Sequence, residues 1–178
     1  YYIVTDNSNN VGLINNNDET IIPLDKYGKI IDFKNNYLLY FNDGMYYIKN
    51  ITDNTELIAS ENELILINDK LYGYVEDNNY FIASYDTKNK VNDNSYNYMF
   101  SYEDIILTVN DKKIDIMNTD LKSTLIMHIT TYYDYTIEKE RDSLNIKVRD
   151  NILYINVKNE DEKYTSYKYD IKNKKILT

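Results

Sequence analysis

Few residues of this chain have types and spacing that could support catalysis. The only histidine is His128, in the stretch "TLIMHITT". A hydrolytic triad needs a histidine that is oriented by an acid and lies beside a nucleophile, yet no GxSxG motif marks such a serine. Cysteine is absent from the sequence, so thiol nucleophiles, zinc–thiolate sites and disulfides are excluded. We therefore predict that His128 lies on a strand face without a catalytic role.

Carboxylates offer a second kind of chemistry, because a glycosidase needs only two acids at a suitable separation. The chain has 29 acidic residues, and among so many some pair will lie close by chance. The stretch Asp6–Asn10, "DNSNN", also places oxygen ligands at alternate positions, as calcium loops do. It lacks the glycine and the final acid of such a loop, where Asn17 stands instead. We expect an ordinary turn there, and we predict no metal or cofactor.

The best candidates for ligand binding are two tyrosines in the longest gap between strand-like runs. This gap, Thr87–Tyr98, reads "TKNKVNDNSYNY" and contains Tyr96 and Tyr98. Long loops on rigid β scaffolds are where binding residues concentrate. If the loop is extended, the two rings lie on one side and can stack on a sugar or a peptide. A disordered connector is the alternative.

The elements that would position these residues are strands that repeat along the chain. Apolar runs of period two meet a polar turn, and a second such run follows, which is typical of a β-hairpin. A third run follows each hairpin, for example Glu56–Ala59 and Tyr164–Tyr169. The turns align on four aspartates: Asp43, Asp69, Asp111 and Asp150.

The repeats predict an all-β fold with almost no helix. With the N-terminal stretch included, the chain has about five antiparallel meander units of three or four strands, all in one domain over residues 1–178. Successive hairpins pair with their sequence neighbours, as propeller-like blades or as an open β array. Apolar residues five or six positions after each turn aspartate should form the core: Ile48, Val75, Ile116 and Ile155.

Composition restricts the partners. The net charge of −9 opposes binding to nucleic acid and to anionic membrane surfaces. No apolar run approaches the roughly 18–20 residues that span a bilayer. The chain begins at Tyr1 without methionine, so a signal peptide or lipid anchor could have preceded it.

Two units resemble the WG β-repeat of bacterial proteins. In "VGLINNNDETIIPLDKY", Gly12 occupies the glycine position, Pro23 lies in the second strand and Tyr27 is the closing aromatic. Tyr72-Gly73, followed by "YFIASYD", matches the same pattern, although the chain has no tryptophan. The resemblance implies a β-rich module of an exported or envelope-associated protein, and it brings no catalytic residues with it.

These observations predict a non-enzymatic binding or interaction module of an exported or surface-anchored bacterial protein. Its ligand would be a protein or a glycan, and an extracytoplasmic location is favoured. The alternative function is a carbohydrate-active hydrolase with paired carboxylates. Convergent acids at the floor of a concave pocket would favour this alternative.

Overall fold

The protein is built from antiparallel sheets. The computed structural model describes residues 1–110, 113–128, 144–158 and 163–177, and no helix occurs within these ranges. They contain 18 strands in five sheets, and every sheet keeps its strands in sequence order. The prediction of an all-β fold made of about five meander units is confirmed.

Two of the five sheets have three strands and the other three have four. Sheet 1 comprises β1 (Tyr2–Thr5), β2 (Val11–Ile14) and β3 (Thr20–Ile22). Sheet 2 comprises β4 (Lys29–Lys34), β5 (Tyr37–Asn42), β6 (Met45–Asn50) and β7 (Thr55–Ser60). Sheet 3 comprises β8 (Leu64–Leu66), β9 (Leu71–Glu76) and β10 (Asn79–Ser84). Sheet 4 comprises β11 (Tyr98–Tyr102), β12 (Ile105–Asn110), β13 (Lys113–Asn118) and β14 (Ser123–His128). Sheet 5 comprises β15 (Leu144–Arg149), β16 (Ile152–Lys158), β17 (Tyr164–Asp170) and β18 (Lys175–Leu177).

Tight two-residue turns with positive φ at both positions join several of these strands. Such turns match the right-handed twist of the strands that they connect, and Asn, Asp and Gly adopt this conformation most readily. They occur at Asn35-Asn36, Asp43-Gly44, Asp77-Asn78 and Asp150-Asn151. The predicted turns at Asp43 and Asp150 are thus confirmed, whereas Asp111 lies outside the described residues.

The turn at Asp69 is built differently. Leu66 pairs with Tyr72, so the loop between β8 and β9 is longer than two residues. The Asn68 side-chain oxygen closes this loop by accepting hydrogen bonds from the backbone N–H groups of Lys70 and Leu71, at 2.8 and 2.7 Å.

The core positions predicted from the repeats are right in three cases out of four. Ile48, Ile116 and Ile155 are each 0% exposed. Val75, in contrast, is only partly buried. It lies six residues after its turn aspartate rather than five, and because strand side chains alternate between faces, it lies on the opposite face from Tyr72 and Tyr74, which join the core.

The chain divides into two compact units. The first unit comprises Tyr1–Val75 and Ile82–Asn92, and the second comprises Glu76–Phe81 and Asp93–Thr178. The assignment of one domain to residues 1–178 stays a prediction. In the second unit, a single apolar cluster takes residues from both sheet 4 and sheet 5, including Leu107, Ile114, Leu153, Ile155 and Tyr169.

Candidate functional site

Sheet 4 has one apolar face and one face on which polar residues are mixed with the buried Met99, Ile106 and Met117. Along β12 and β13, Leu107, Val109, Ile114 and Ile116 belong to the buried core cluster. The residues between them point the other way, because side chains alternate along a strand. Thr108 is the cross-strand partner of Asp115, and Asn110 is the partner of Lys113. We call the face that carries these four residues the polar face of sheet 4.

A cavity of about 490 Å³ lies on the polar face of sheet 4. Its lining is dominated by side chains that donate or accept hydrogen bonds, with only two aliphatic residues among those described. The described lining residues are Asn94, Tyr96, Thr108, Asn110, Lys113, Asp115, Met117, Leu121, Ser123 and His128. The polar groups of this lining can make directional hydrogen bonds to a ligand, whereas the lining has less apolar surface than most ligand pockets.

Asp115 is the most constrained polar group of the cavity. Its side chain is 14% exposed, and its Oδ2 lies 3.2 Å from the Lys113 Nζ. The Ser123 hydroxyl donates a hydrogen bond of 2.8 Å to the same oxygen. The other oxygen, Oδ1, is buried and has no hydrogen-bond donor within the described residues. One half of the carboxylate is therefore satisfied and the other half is not.

This geometry does not favour nucleophilic catalysis by Ser123. A serine nucleophile needs a base that accepts its proton, and the Ser123 proton is directed to a carboxylate that also accepts from Lys113. His128 lies opposite Lys113 in the strand register and is exposed. The histidine therefore lies on a strand face, as predicted.

Tyr96 and Tyr98 are placed differently from the two exposed rings that the sequence suggested. Tyr96 is 7% exposed, and its backbone forms a bridge with Tyr80 through hydrogen bonds of 2.8 and 2.9 Å. Tyr98 begins β11 and packs against the core cluster of the second unit. A bend at Asn97 separates them, so the extended geometry that would align the rings is not present.

Tyr96 nevertheless lines the cavity, and Tyr98 does not. Tyr98 instead makes an edge-on contact with Tyr80, at 6.1 Å between ring centroids. The structure thus brings one of the two predicted tyrosines to the candidate site. A role for either of them in binding stays a prediction.

The candidate calcium loop at Asp6–Asn10 is an ordinary turn. Asp6 Oδ1 accepts hydrogen bonds from the backbone N–H groups of Ser8 and Asn10, at 2.8 and 2.9 Å. Asp6 Oδ2 accepts from the Asn10 side chain at 2.9 Å, and this bond is the main reason that the Asp6 pKa lies below 3.8. The carboxylate is thus used within the turn. Within the described residues, no cluster of three or more His, Asp or Glu is arranged to hold a metal ion.

Sequence reasoning missed the residues of the polar face, although their signal was present. In "IILTVN" and "KIDIMN", polar residues alternate with apolar ones at Thr108, Asn110, Lys113 and Asp115. The alternation is incomplete, because Ile106 and Met117 lie on the same face as these polar residues and are buried. What the sequence could not indicate is that Ser123 and Tyr96, from outside these two strands, would complete the cavity.

Similarity of this chain to known proteins is found among solved structures, and it concerns the fold. No protein-family model matches the chain, and the search of curated proteins finds no match. Among solved structures, the chain is similar to Hsv2 of Kluyveromyces lactis with its loop 6CD replaced by a Gly-Ser linker, at 8% identity and a TM-score of 0.54, over 91% of this chain and 56% of that one. A second similar structure is the WD40 domain of Pan2 from Neurospora crassa, at 7% identity and a TM-score of 0.45, over 85% of this chain and 51% of that one.

The chain therefore spans little more than half the length of these solved proteins. In the described ranges, no helix has the length and apolar character needed to cross a membrane. At 8% identity, the likeness to Hsv2 concerns the fold alone. The chain has an all-β fold of antiparallel sheets, and this fold is similar to that of the solved Hsv2 structure.

Proposed function

We propose that this chain is a non-enzymatic binding module that takes a polar ligand on the polar face of sheet 4. The observation that carries the proposal is the cavity of about 490 Å³ on that face. Its lining offers an amide, a carboxylate, an ammonium group, an imidazole and hydroxyls within one concave surface. The ligand is a protein segment or a glycan, because both present the hydroxyl and amide groups that such a lining recognises.

The unsatisfied oxygen of Asp115 supports ligand binding at this cavity. A buried acceptor without a donor costs about 1–3 kcal/mol, and more when the group is charged. A ligand donor that reaches Oδ1 recovers that free energy. Lys113 pairs with the other oxygen, Oδ2, and its side chain is 42% exposed, so this side chain can change its position when a ligand enters.

Binding is favoured over the alternative function, carbohydrate hydrolysis. A glycosidase places two carboxyl groups about 5–10 Å apart around the bond that it breaks. The described lining of the cavity contains one carboxylate, Asp115. One oxygen of that carboxylate is held by Lys113 and Ser123, which suits a positioning contact better than proton transfer.

The wider context of the module is also part of the proposal. The resemblance of Gly12–Tyr27 and of Tyr72-Gly73 to the WG β-repeat supports an origin in an exported or surface-anchored bacterial protein. The net charge of −9 agrees with a ligand other than nucleic acid. No cofactor is required for binding of this kind.

The test compares the wild type with a Lys113→Ala/His128→Ala variant on a glycan array and in pull-downs from a bacterial envelope extract. Both side chains line the cavity and are at least partly exposed, so their truncation should leave the fold intact. The matched control is Lys49→Ala/Glu56→Ala, which truncates another cross-strand pair, in sheet 2. Circular dichroism of all three proteins verifies folding.

We expect the cavity variant to lose binding by at least about tenfold while the control retains it, as is usual when directional polar contacts are removed. Equal binding by all three proteins would show that the cavity is not the site. To test the alternative function, glycans bound by the wild type are incubated with the wild type and with Asp115→Asn, and new reducing ends are measured. Release of reducing ends by the wild type alone would replace the binding proposal by hydrolysis.

A further inference from the structure

Sheet 5 carries a second surface that the cavity of sheet 4 does not involve. One face of the sheet contributes Leu153, Ile155 and Val157 to the core of the second unit. The opposite face carries polar and aromatic side chains in cross-strand rows. We call this the outer face of sheet 5. Two of its rows, together with Tyr164, comprise Asn145, Lys147, Tyr154, Asn156, Ser166 and Lys168.

The first row on this face alternates cations with an aromatic ring. Lys147 is the register partner of Tyr154, and Tyr154 is the partner of Lys168 on the next strand. The Lys168 Nζ lies 5.9 Å from the centroid of the Tyr154 ring. Both lysines are exposed. Because neighbouring strands lie about 4.8 Å apart, the two lysines begin roughly 10 Å apart on either side of the ring.

The second row supplies hydrogen-bonding groups beside the cations. Asn145 pairs with Asn156, and Asn156 pairs with Ser166, whose hydroxyl donates a 2.6 Å hydrogen bond to the Asn156 Oδ1. Tyr164 closes this end of the face and is 55% exposed. A shallow depression of about 240 Å³ lies among Asn145, Lys147, Asn156 and Tyr164.

The row at the other end of the face is nearly neutral. Arg149 lies there beside Asp150, with 3.5 Å between the Arg149 Nε and the Asp150 Oδ2, and both side chains are more than 80% exposed. Asp170 is the register partner of Lys175. These opposite charges largely offset each other. Among the side chains that the structure describes on this face, the excess positive charge lies at Lys147 and Lys168, in a protein whose net charge is −9.

We infer that the outer face of sheet 5 binds an acidic glycan, a polysaccharide whose uronic acids carry carboxylates. The two lysines complement the carboxylates, the rings of Tyr154 and Tyr164 stack on sugar rings, and the amide and hydroxyl row takes up sugar hydroxyls. This site is separate from the proposed cavity on sheet 4, and either can exist without the other.

Charge density distinguishes an acidic glycan from a single-stranded nucleic acid, which aromatic rings and lysines can also bind. A nucleic acid carries a phosphate on every nucleotide and is repelled strongly by the acidic remainder of the protein. A polyuronate with neutral sugars between its acids carries fewer charges per length. Two lysines around one ring match the sparser polymer better.

The test measures, by calorimetry, binding of the whole protein to a polyuronate oligosaccharide in which uronic acids alternate with neutral sugars. A neutral oligosaccharide of the same length and a single-stranded DNA oligonucleotide are measured in parallel. The variant Lys147→Gln/Lys168→Gln removes both charges and keeps most of the side-chain volume. The matched control, Lys26→Gln/Lys49→Gln, makes the same change at two lysines that flank Tyr27 in the first unit, 5.1 and 5.2 Å from its ring centroid.

We expect the wild type and the control to bind the polyuronate, and the Lys147/Lys168 variant to bind it roughly tenfold more weakly. Binding should weaken between about 50 and 200 mM salt, because exposed charges are screened. Three results would overturn the inference. They are binding of the neutral oligosaccharide as tightly as the polyuronate, the same loss of binding in the Lys147/Lys168 variant and in the control, and no binding of the polyuronate by the wild type. Binding of the DNA alone would assign the face to nucleic acid instead. The sheet 4 variant Lys113→Ala/His128→Ala should retain polyuronate binding, so a failure of one site is distinguishable from a failure of the other.

Discussion

Two glycines of sheet 2 allow a direct measurement of how closely the backbone of this protein is packed. Gly28 precedes β4 and has a φ of +61°, and Gly44 lies in the β5–β6 turn and has a φ of +82°. A Cβ added at Gly28 would lie 2.8 Å from the Phe41 carbonyl oxygen and 2.9 Å from the Asn42 Oδ1. A Cβ at Gly44 would meet nothing within 4 Å. Alanine at Gly44 therefore introduces only backbone strain, whereas alanine at Gly28 introduces the same strain together with a steric clash of its Cβ.

The expected magnitudes follow from these contacts. A left-handed conformation costs an alanine about 1–2 kcal/mol, and the loss of freedom in the unfolded chain returns about 0.4–1 kcal/mol. The cost of the left-handed conformation and the gain from a more restricted unfolded chain apply at Gly28 and at Gly44 alike. At Gly44 they leave a net loss of stability of about 1 kcal/mol for Gly44→Ala. At Gly28 the collision adds about 1–3 kcal/mol, as overpacking does elsewhere. The Phe41 carbonyl cannot retreat freely, because Phe41 pairs with Lys29 in the sheet.

The measurement is urea unfolding followed by tyrosine fluorescence, which suits a chain with 21 tyrosines and no tryptophan. The midpoint should fall further for Gly28→Ala than for Gly44→Ala, while the slope of the transition stays unchanged. Gly44→Asn is a second control, because asparagine tolerates this conformation, and it should be closer to the wild type than Gly44→Ala. Equal midpoints for the two alanine variants would refute the reasoning, since the collision at Gly28 would then have no cost.

Three further predictions concern the core, a turn and the response to alkali. Ile116→Ala should lower the free energy of unfolding by about 2–5 kcal/mol, whereas Ile126→Ala, at a position 46% exposed, should cost less than about 1 kcal/mol in the same urea titration. Asn10→Ala should raise the pKa of Asp6, measured by carboxyl NMR, because the Asn10 side chain is the main cause of its lowering; an unchanged pKa would contradict this. Burial raises the pKa of Tyr40 from 10.0 to about 12, so its contribution to stability is complete below pH 10 and is lost as the pH rises toward 12. Tyr40→Phe should make that alkaline loss shallower, and an identical pH profile would show that Tyr40 does not cause it.

The sequence by itself determined the strand content and the order of the sheets. Alternation of apolar and polar residues is a local property, and a two-residue turn fixes which neighbours pair. Ile48, Ile116 and Ile155 could therefore be assigned to the core from their distance to a turn. The polar residues of both faces could be recognised in the same way, since Lys113 and Asp115 alternate with buried residues, and Lys147 and Arg149 alternate with partly buried apolar ones.

The tertiary structure alone decided which of these residues share a site. The register places Thr108 opposite Asp115, and a bulge near Met117 brings Ser123 within 2.8 Å of the Asp115 carboxylate. The backbone bridge between Tyr80 and Tyr96 buries a ring that the sequence assigned to an exposed loop. Long-range contacts of this kind depend on how strands meet, and the period of a single strand carries no information about its distant partners. Val75 has a local explanation. The strand β9 begins two residues after Asp69, as β6 begins two residues after Asp43, so the fifth position is Tyr74 and Val75, the sixth, lies on the opposite face.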